Sequence, residues 1–315
     1  MRVVVVGAGI SGLVAGRRLV DAGAEVVLVD KGRSPGGRLA TRRIGTATVD
    51  HGAQFFTVRT PAFQRQVDDW VERGLVAIWS HGFTSDDGHP RYAATSGMNS
   101  LAKDLAVSLD VRCSTMAFGI RPAPEGSSAP WQVTIDDGTV HDADAVIVTT
   151  PLPQAFALLA DSGIDLDESL MRTDYERTIA LLATLDRAPA IPAPGGVQGP
   201  TPELSFIADN MAKGVSATPA ITVHASATWS EARWDDDVDA LRAALIDLAA
   251  PWLGEAIVTE AHVKKWRFAT PRTPWPDPCW VANGGTIVLA GDAFDGPRVE
   301  AAHNSGLAAA HAVVS

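Results

Sequence analysis

Val3-Val4-Val5-Val6-Gly7-Ala8-Gly9-Ile10-Ser11-Gly12, followed by Val26-Val27-Leu28-Val29-Asp30, is the stretch that decides the fold. Four consecutive valines form a β-branched run with no polar interruption, as a parallel strand buried on both faces requires. Residues 7–12 make a glycine-rich turn. From Leu13 the apolar positions Leu13, Val14, Leu19 and Val20 share one face of a helix that ends near Ala22-Gly23. Residues 26–29 are a second buried strand, closed by Asp30. Together these make one βαβ unit, whose crossover is right-handed.

That turn has a chemistry. Gly7 permits a tight bend, Gly9 lets backbone approach a pyrophosphate, and Gly12 allows close packing of helix on strand. The start of the helix offers unpaired N–H groups and a positive dipole end to phosphates. Asp30 is placed to accept from ribose hydroxyls. NAD(H) and FAD share this fingerprint, so later segments must separate them. Ser34-Pro35-Gly36-Gly37-Arg38 follows. Its paired glycines bring backbone close to a ligand, and Arg38 supplies a fixed cation for the same pyrophosphate. A solvated, arginine-rich loop is the alternative, since Arg42 and Arg43 come next. Near the other end, residues 287–290 form a buried strand that runs into Gly291-Asp292, ahead of a helix expected from Pro297. Asp292 could hold a ribitol hydroxyl. The helix start would favour negative charge on a reduced flavin ring, a bias of about 0.3–1 kcal/mol and up to about 2.

Between these ends the pattern changes. Residues 131–135 and 139–140 flank Asp136-Asp137-Gly138, a hairpin signal. Residues 145–149 read as a buried strand stopped by Pro151 and Pro153. Residues 189–202, rich in proline and glycine, read as a loop. β-rich runs follow at 203–208, 220–227 and 259–268, with a helix over 236–250 whose stripe is Val238, Leu241, Leu245 and Leu248. The expected fold class is α/β: a Rossmann-like FAD-binding domain (1–58, 96–160 and 283–315) with a second, substrate domain of mixed and antiparallel β-sheet plus helices (59–95 and 161–282).

Composition bounds the function. A chain of 315 residues suggests two domains at about 150 residues each. With 46% apolar and 20% charged residues it can bury a large core, which excludes intrinsic disorder. The formal net charge of −11 argues against binding nucleic acid or an anionic membrane surface. Cys113 and Cys279 are too few and too far apart in sequence for a disulfide framework, a zinc cage or a redox pair. No metal site is expected. The opening apolar run meets glycine too early for a secretory signal, and the terminal stretch 306–314 is too short to span a bilayer, so a soluble, cytoplasmic protein is expected.

Seven segments, in order along the chain, together resemble renalase-like flavoproteins of the flavin amine oxidase and p-hydroxybenzoate hydroxylase superfamily. They are residues 7–12, residues 34–38, Asp50-His51-Gly52-Ala53-Gln54-Phe55-Phe56, Ser96-Gly97-Met98, Thr149-Thr150-Pro151-Leu152-Pro153, Lys265-Trp266-Arg267 and the Gly291-Asp292 segment. The resemblance implies FAD as cofactor. It implies an oxidase that takes a hydride from a dihydronicotinamide (an isomeric reduced NAD(P)) and passes the electrons to dioxygen, giving hydrogen peroxide. It places Ser11, Arg38, Gly52, Ala53 and Gln54 at FAD-contacting positions, and Gly7, Gly9, Gly12, Asp30, Lys31 and Gly37 are the further cofactor-binding candidates. Gly291, Asp292, Arg298 and Val299 would lie by the ribitol and flavin ring. His224, Trp266, Arg267 and Asn304 are the catalytic candidates, Trp266 as an aromatic wall and Arg267 as a cation for a nicotinamide phosphate. Asp30 stands where many FAD proteins carry glutamate. Ala301, His303 and Asn304 depart from a pattern of glycine and apolar residues, so a flavin-facing His303 or Asn304 would alter substrate preference.

Two rivals remain open on sequence. A flavin-containing amine oxidase commonly flanks its amine with aromatics, yet the two tyrosines, Tyr92 and Tyr175, lie far from the C-terminal flavin segment. A non-catalytic, redox-responsive flavin-binding protein would hold FAD without turning over a small donor. Hydride transfer needs orientation and a dry pocket more than acid–base groups. The lack of a nucleophilic triad or paired carboxylates is consistent with it.

Overall fold

The computed structural model describes residues 1–83 and 87–315. The chain forms two compact, discontinuous units: residues 1–37, 101–174 and 271–315 make the first, and residues 38–100 and 175–270 the second.

The first unit is built on a six-stranded sheet in the order Trp280–Ala282, Ile287–Leu289, Ala145–Val148, Arg2–Val6, Glu25–Asp30, Asp110–Cys113. Its strands are parallel except the outermost, Trp280–Ala282, which pairs antiparallel. Val3 to Val6 pair with Val26 to Val29 on one side and Ala145 to Val148 on the other, and all four valines are buried. The valine run is thus a central strand, as its composition demands. The helix after it begins at Ile10, earlier than its apolar stripe implies, and runs to Asp21. It packs on the last helix, Val299–Val314, through small residues: a Cβ on Gly306 would sit 2.3 Å from the Ser11 carbonyl oxygen. The Asp-Gly hairpin forms, with Val140 opposite Thr134, inside a separate three-stranded antiparallel sheet.

The second unit centres on a five-stranded sheet in the order Gly196–Thr201, Leu204–Asp209, Ala220–Ala225, Tyr175–Leu185, Val258–Pro271. Alternation sorts its two faces. Ile179, Leu181 and Ala183 join Ile207, Ile221 and Val223 against Leu241, Leu245 and Ala249 of the helix Val238–Leu253. Leu182 and Ala220 point the other way, onto Ile44, Ala47 and Val49 of a two-stranded hairpin. That hairpin draws residues 38–58 into this unit, although their motifs were expected in the cofactor domain.

Three local expectations are corrected. Residues 196–201 form a strand despite Gly196, Gly199 and Pro200; it is the outer strand of its sheet, with a register shift between Gln198 and Thr201, where a missing N–H is tolerated. The last helix starts at Val299 with Arg298 as its N-cap, so Pro297 precedes the helix instead of opening it. Val238, placed on the buried stripe, is 49% exposed, because Asp237 caps the helix there by accepting from the N–H groups of Asp239 and Ala240. Among the described residues, no helix is long and apolar enough to cross a membrane.

Candidate active site

In the first unit the glycine turn is fixed from behind. The Gly7 N–H donates to the Val29 carbonyl (2.8 Å), and the Thr149 hydroxyl donates to the carbonyls of Val6 and Gly7 (3.1 Å each). Gly7 adopts φ +109°, which favours glycine, and a Cβ on Gly12 would fall 2.0 Å from the Gly7 oxygen. Gly9 differs. It is the N-cap of the first helix, and a Cβ built on it meets nothing within 4 Å. Open space therefore lies in front of a helix end whose first N–H groups have no intrahelical acceptor. The Ser11 hydroxyl beside them is buried and without a protein partner.

Asp30 is partly occupied by the protein itself. One carboxylate oxygen accepts from the Ala8 N–H and the other from the Gly32 N–H, both at 2.6 Å. It braces the glycine turn, and two of its roughly four lone-pair sites stay available for hydroxyls. The Gly36 N–H donates to the Ala8 carbonyl (2.8 Å), and a Cβ on Gly37 would lie 3.5 Å from the Gly9 Cα. The two glycine motifs thus form one backbone surface. Lys31 is exposed and donates to the Gln154 side chain (3.2 Å).

The C-terminal segment is held to the same unit. The Gly291 N–H donates to the buried Ser305 hydroxyl (2.8 Å), and Asp292, half-buried, follows it in the turn. Arg298 donates through Nη2 to the Asp295 carbonyl (2.8 Å), while its buried Nε has no partner. His303 is buried, its Nδ1 lies 3.1 Å from the Asn304 Oδ1, and burial followed by the nearby Arg18 charge lowers its pKa despite the Asn304 hydrogen bond. It is a neutral core histidine of the last helix.

The second unit carries its own candidates, in residues 50–54. Gly52 has no room for a side chain, since its Cβ would clash with the Arg38 carbonyl oxygen at 1.9 Å. The Ala53 N–H donates to that same oxygen (2.9 Å). Gln54 donates to the carbonyls of Asp50 (2.8 Å) and Gly52 (3.1 Å), leaving its buried Oε1 without a partner. The Arg38 guanidinium lies 3.4 and 3.3 Å from the carbonyls of Phe268 and Ala269.

His51 gathers the catalytic candidates. Its carbonyl accepts from Trp266 Nε1 (2.8 Å) and lies 3.2 Å from His224 Nε2. Its ring stacks on the Trp266 indole with centroids 5.4 Å apart and planes 26° apart. The Lys264 ammonium lies 4.9 Å from the same indole's centroid. Desolvation, then Lys264 and His224, pushes the His51 pKa down to about 4, and burial brings His224 to about 4 as well. Both imidazoles are neutral at pH 7. Arg267 is exposed, its guanidinium 5.7 Å from the Phe268 ring centroid. His51 and Lys264 were not singled out from sequence, although His51 sits inside a quoted motif. Tyr92 stacks on Phe56 and Tyr175 packs on Phe268, so both tyrosines are taken up in packing.

Within the first unit, the unpartnered buried Ser11 hydroxyl and the open ground before Gly9 fit the phosphates of a bound dinucleotide. Comparison with known proteins agrees. Residues 5–72 match the NAD(P)-binding Rossmann-like domain, and residues 66–314 match the family described as flavin containing amine oxidoreductase. The chain is 25% identical to mouse renalase over 294 residues, covering 85% of this chain and 84% of that protein. It is 48% identical to hydroxyneurosporene desaturase of Rubrivivax gelatinosus over 58 residues, which are 18% of this chain and 11% of that protein. Among solved structures, a redesigned putrescine oxidase superposes with a TM-score of 0.74 at 15% identity, covering 100% of this chain and 99% of that one. An oxidoreductase from Methanosarcina mazei gives 0.66 at 13%, covering 98% and 99%. A flavin carried by a dinucleotide fingerprint is FAD, and FAD is the cofactor here. With a match that spans most of its length, the chain belongs to the flavin containing amine oxidoreductase family.

Proposed function

We propose that this FAD-dependent oxidoreductase oxidises a dihydronicotinamide, an isomer of reduced NAD(P), with dioxygen as the final acceptor. The observation that carries the reading is the character of the His51–Trp266–His224 cluster: two neutral imidazoles and an indole, with Lys264 over the indole. A protonated amine approaching Trp266 would meet the Lys264 ammonium. An uncharged dihydropyridine carrying a phosphate would be attracted by it, and by exposed Arg267. The likeness to mouse renalase over most of both chains supports the same choice.

The residues proposed to hold FAD are Gly7, Gly9, Ser11, Gly12, Asp30, Gly37, Arg38, Gly52, Ala53, Gln54, Gly291, Asp292, Arg298 and Val299. Lys31 adds an exposed positive charge adjoining Asp30. Bound FAD supplies the two-electron acceptor that such a reaction needs. The protein's own work is binding and exclusion. First-turn N–H groups take phosphate charge, Asp30 accepts from hydroxyls, Trp266 stacked on His51 forms an aromatic wall, and both imidazoles stay uncharged at pH 7. His224 and Trp266 are binding residues in this account. Arg267 attracts a phosphate, and Asn304 acts through its hydrogen bond with His303. Peroxide release assayed across dihydronicotinamide isomers, primary amines and polyamines tests it. Turnover confined to the dihydronicotinamides is expected, and turnover confined to amines overturns the reading.

A further inference from the structure

Beneath residues 50–54 the second unit buries an ion pair. Lys213 Nζ lies 2.7 Å from Asp50 Oδ2, and both side chains are fully inaccessible to solvent. The rest of Asp50 is equally engaged. Its Oδ1 accepts from the Thr41 hydroxyl (2.5 Å) and the Met98 N–H (2.8 Å). Its N–H donates to the Asn210 side chain (3.2 Å), and its carbonyl accepts from Thr222 (2.6 Å) and Gln54 (2.8 Å). Lys213 also reaches the far end of the segment, with its ammonium 5.2 Å from the Trp79 ring centroid. Trp79 packs edge-on against Phe55, centroids 6.5 Å apart, and Phe55 directly follows Gln54. One buried cation therefore touches what anchors the segment at both ends. An isolated buried charge is strongly disfavoured and is retained only when paired, so Lys213 and Asp50 fix each other's position.

The segment's other side bears on Arg38: the Ala53 N–H donates to the Arg38 carbonyl, and Gly52 packs against that same oxygen. We propose that Lys213 is a positioning residue for the cofactor, holding the backbone of residues 50–54, and through it the Arg38 carbonyl, in the conformation that binds FAD. This rests on the proposed contact of Gly52, Ala53 and Gln54 with FAD. It does not depend on which donor is oxidised.

The test compares holoprotein carrying Lys213→Met with the charge-free pair Asp50→Asn/Lys213→Met. Leu241→Ala, in the helix–sheet core on the other face, is the control for general destabilisation. FAD dissociation is measured well below the melting temperature by fluorescence of released cofactor, and the shape of the visible flavin band is recorded. Lys213→Met is expected to weaken FAD at least tenfold and blur the band. The double variant, which buries no unpaired charge, is expected to weaken it at least threefold. Leu241→Ala should lower the melting temperature with FAD affinity unchanged. If Lys213→Met does not fold, the double variant is read alone. Wild-type affinity and band shape in whichever variant folds, with only the melting temperature lowered, overturns the proposal. A wild-type protein that binds FAD but ignores dihydronicotinamides would refute the proposed substrate and leave this inference standing.

Discussion

Replacing Gly12 by alanine tests the link between the glycine turn and FAD most sharply, with Gly9→Ala as its counterpart. The new Cβ at position 12 falls 2.0 Å from the Gly7 oxygen and 2.9 Å from the Thr149 hydroxyl. Ordinary carbon–oxygen contact needs about 3.3 Å, so the first helix must retreat by about 1.3 Å from a carbonyl that Thr149 also holds. Overpacking of this kind costs about 1–3 kcal/mol. For a unit of this size that lowers the apoprotein melting temperature by about 2–12 °C. The helix's leading N–H groups move with it, and a loss of about 1.4 kcal/mol in their contacts is tenfold in FAD affinity. Gly9 has φ −75°, which alanine adopts freely, and empty space before it. Gly9→Ala should melt within about 1 °C of the parent, as befits a methyl that meets no neighbour. If this turn holds the pyrophosphate as proposed, the methyl stands in its approach and FAD should bind about tenfold more weakly. Differential scanning calorimetry of apoprotein and fluorimetric FAD titration read both effects. Unchanged FAD affinity in Gly9→Ala would refute the assignment of this turn to the pyrophosphate.

Gly306→Val should fail to pack the last helix on the first, since even a Cβ there meets the Ser11 carbonyl at 2.3 Å; a melting temperature within a degree of wild type in thermal denaturation would contradict this. For His224, a folded pKa of about 4 against 6.5 means the native state binds fewer protons than the unfolded chain between those values. Stability is therefore lost as pH falls from about 6.5 to 4, by up to about 3 kcal/mol, and urea titrations of His224→Gln should show that share of the pH dependence gone. Lys264→Met should raise KM for phosphate-bearing dihydronicotinamides several-fold with kcat little changed, and should weaken the salt dependence of kcat/KM, as measured in steady state. Asp237→Ala removes an N-cap that accepts two helix N–H groups, and should cost about 1 kcal/mol in chemical denaturation.

The βαβ unit was legible because its signals are local: an uninterrupted β-branched run, glycines where Cβ atoms would clash, and an acid that ends the second strand. The Asp-Gly hairpin was legible for the same reason. The strand Gly196–Thr201 was not, since glycine and proline argue against a strand unless its edge position is known, and that position is set by pairing with Leu204–Asp209. Pro297 misled because a favoured N1 residue can equally sit just outside a helix that Arg298 caps. The core of the second unit's candidate set was the least visible. Lys213 and Asp50 are 163 residues apart in sequence, and nothing local to either marks a buried pair. His51 was hidden in a motif read for its glycine, alanine and glutamine; its role emerges from Trp266 and His224 reaching the same carbonyl.

Anaerobic titration of the purified yellow protein with isomeric dihydronicotinamides and with amines addresses the central claim directly. Stoichiometric bleaching of the flavin band by at least one dihydronicotinamide isomer, with recovery on admitting oxygen, is the predicted result. A flavin that stays oxidised with every dihydronicotinamide, or is bleached by amines alone, would contradict it.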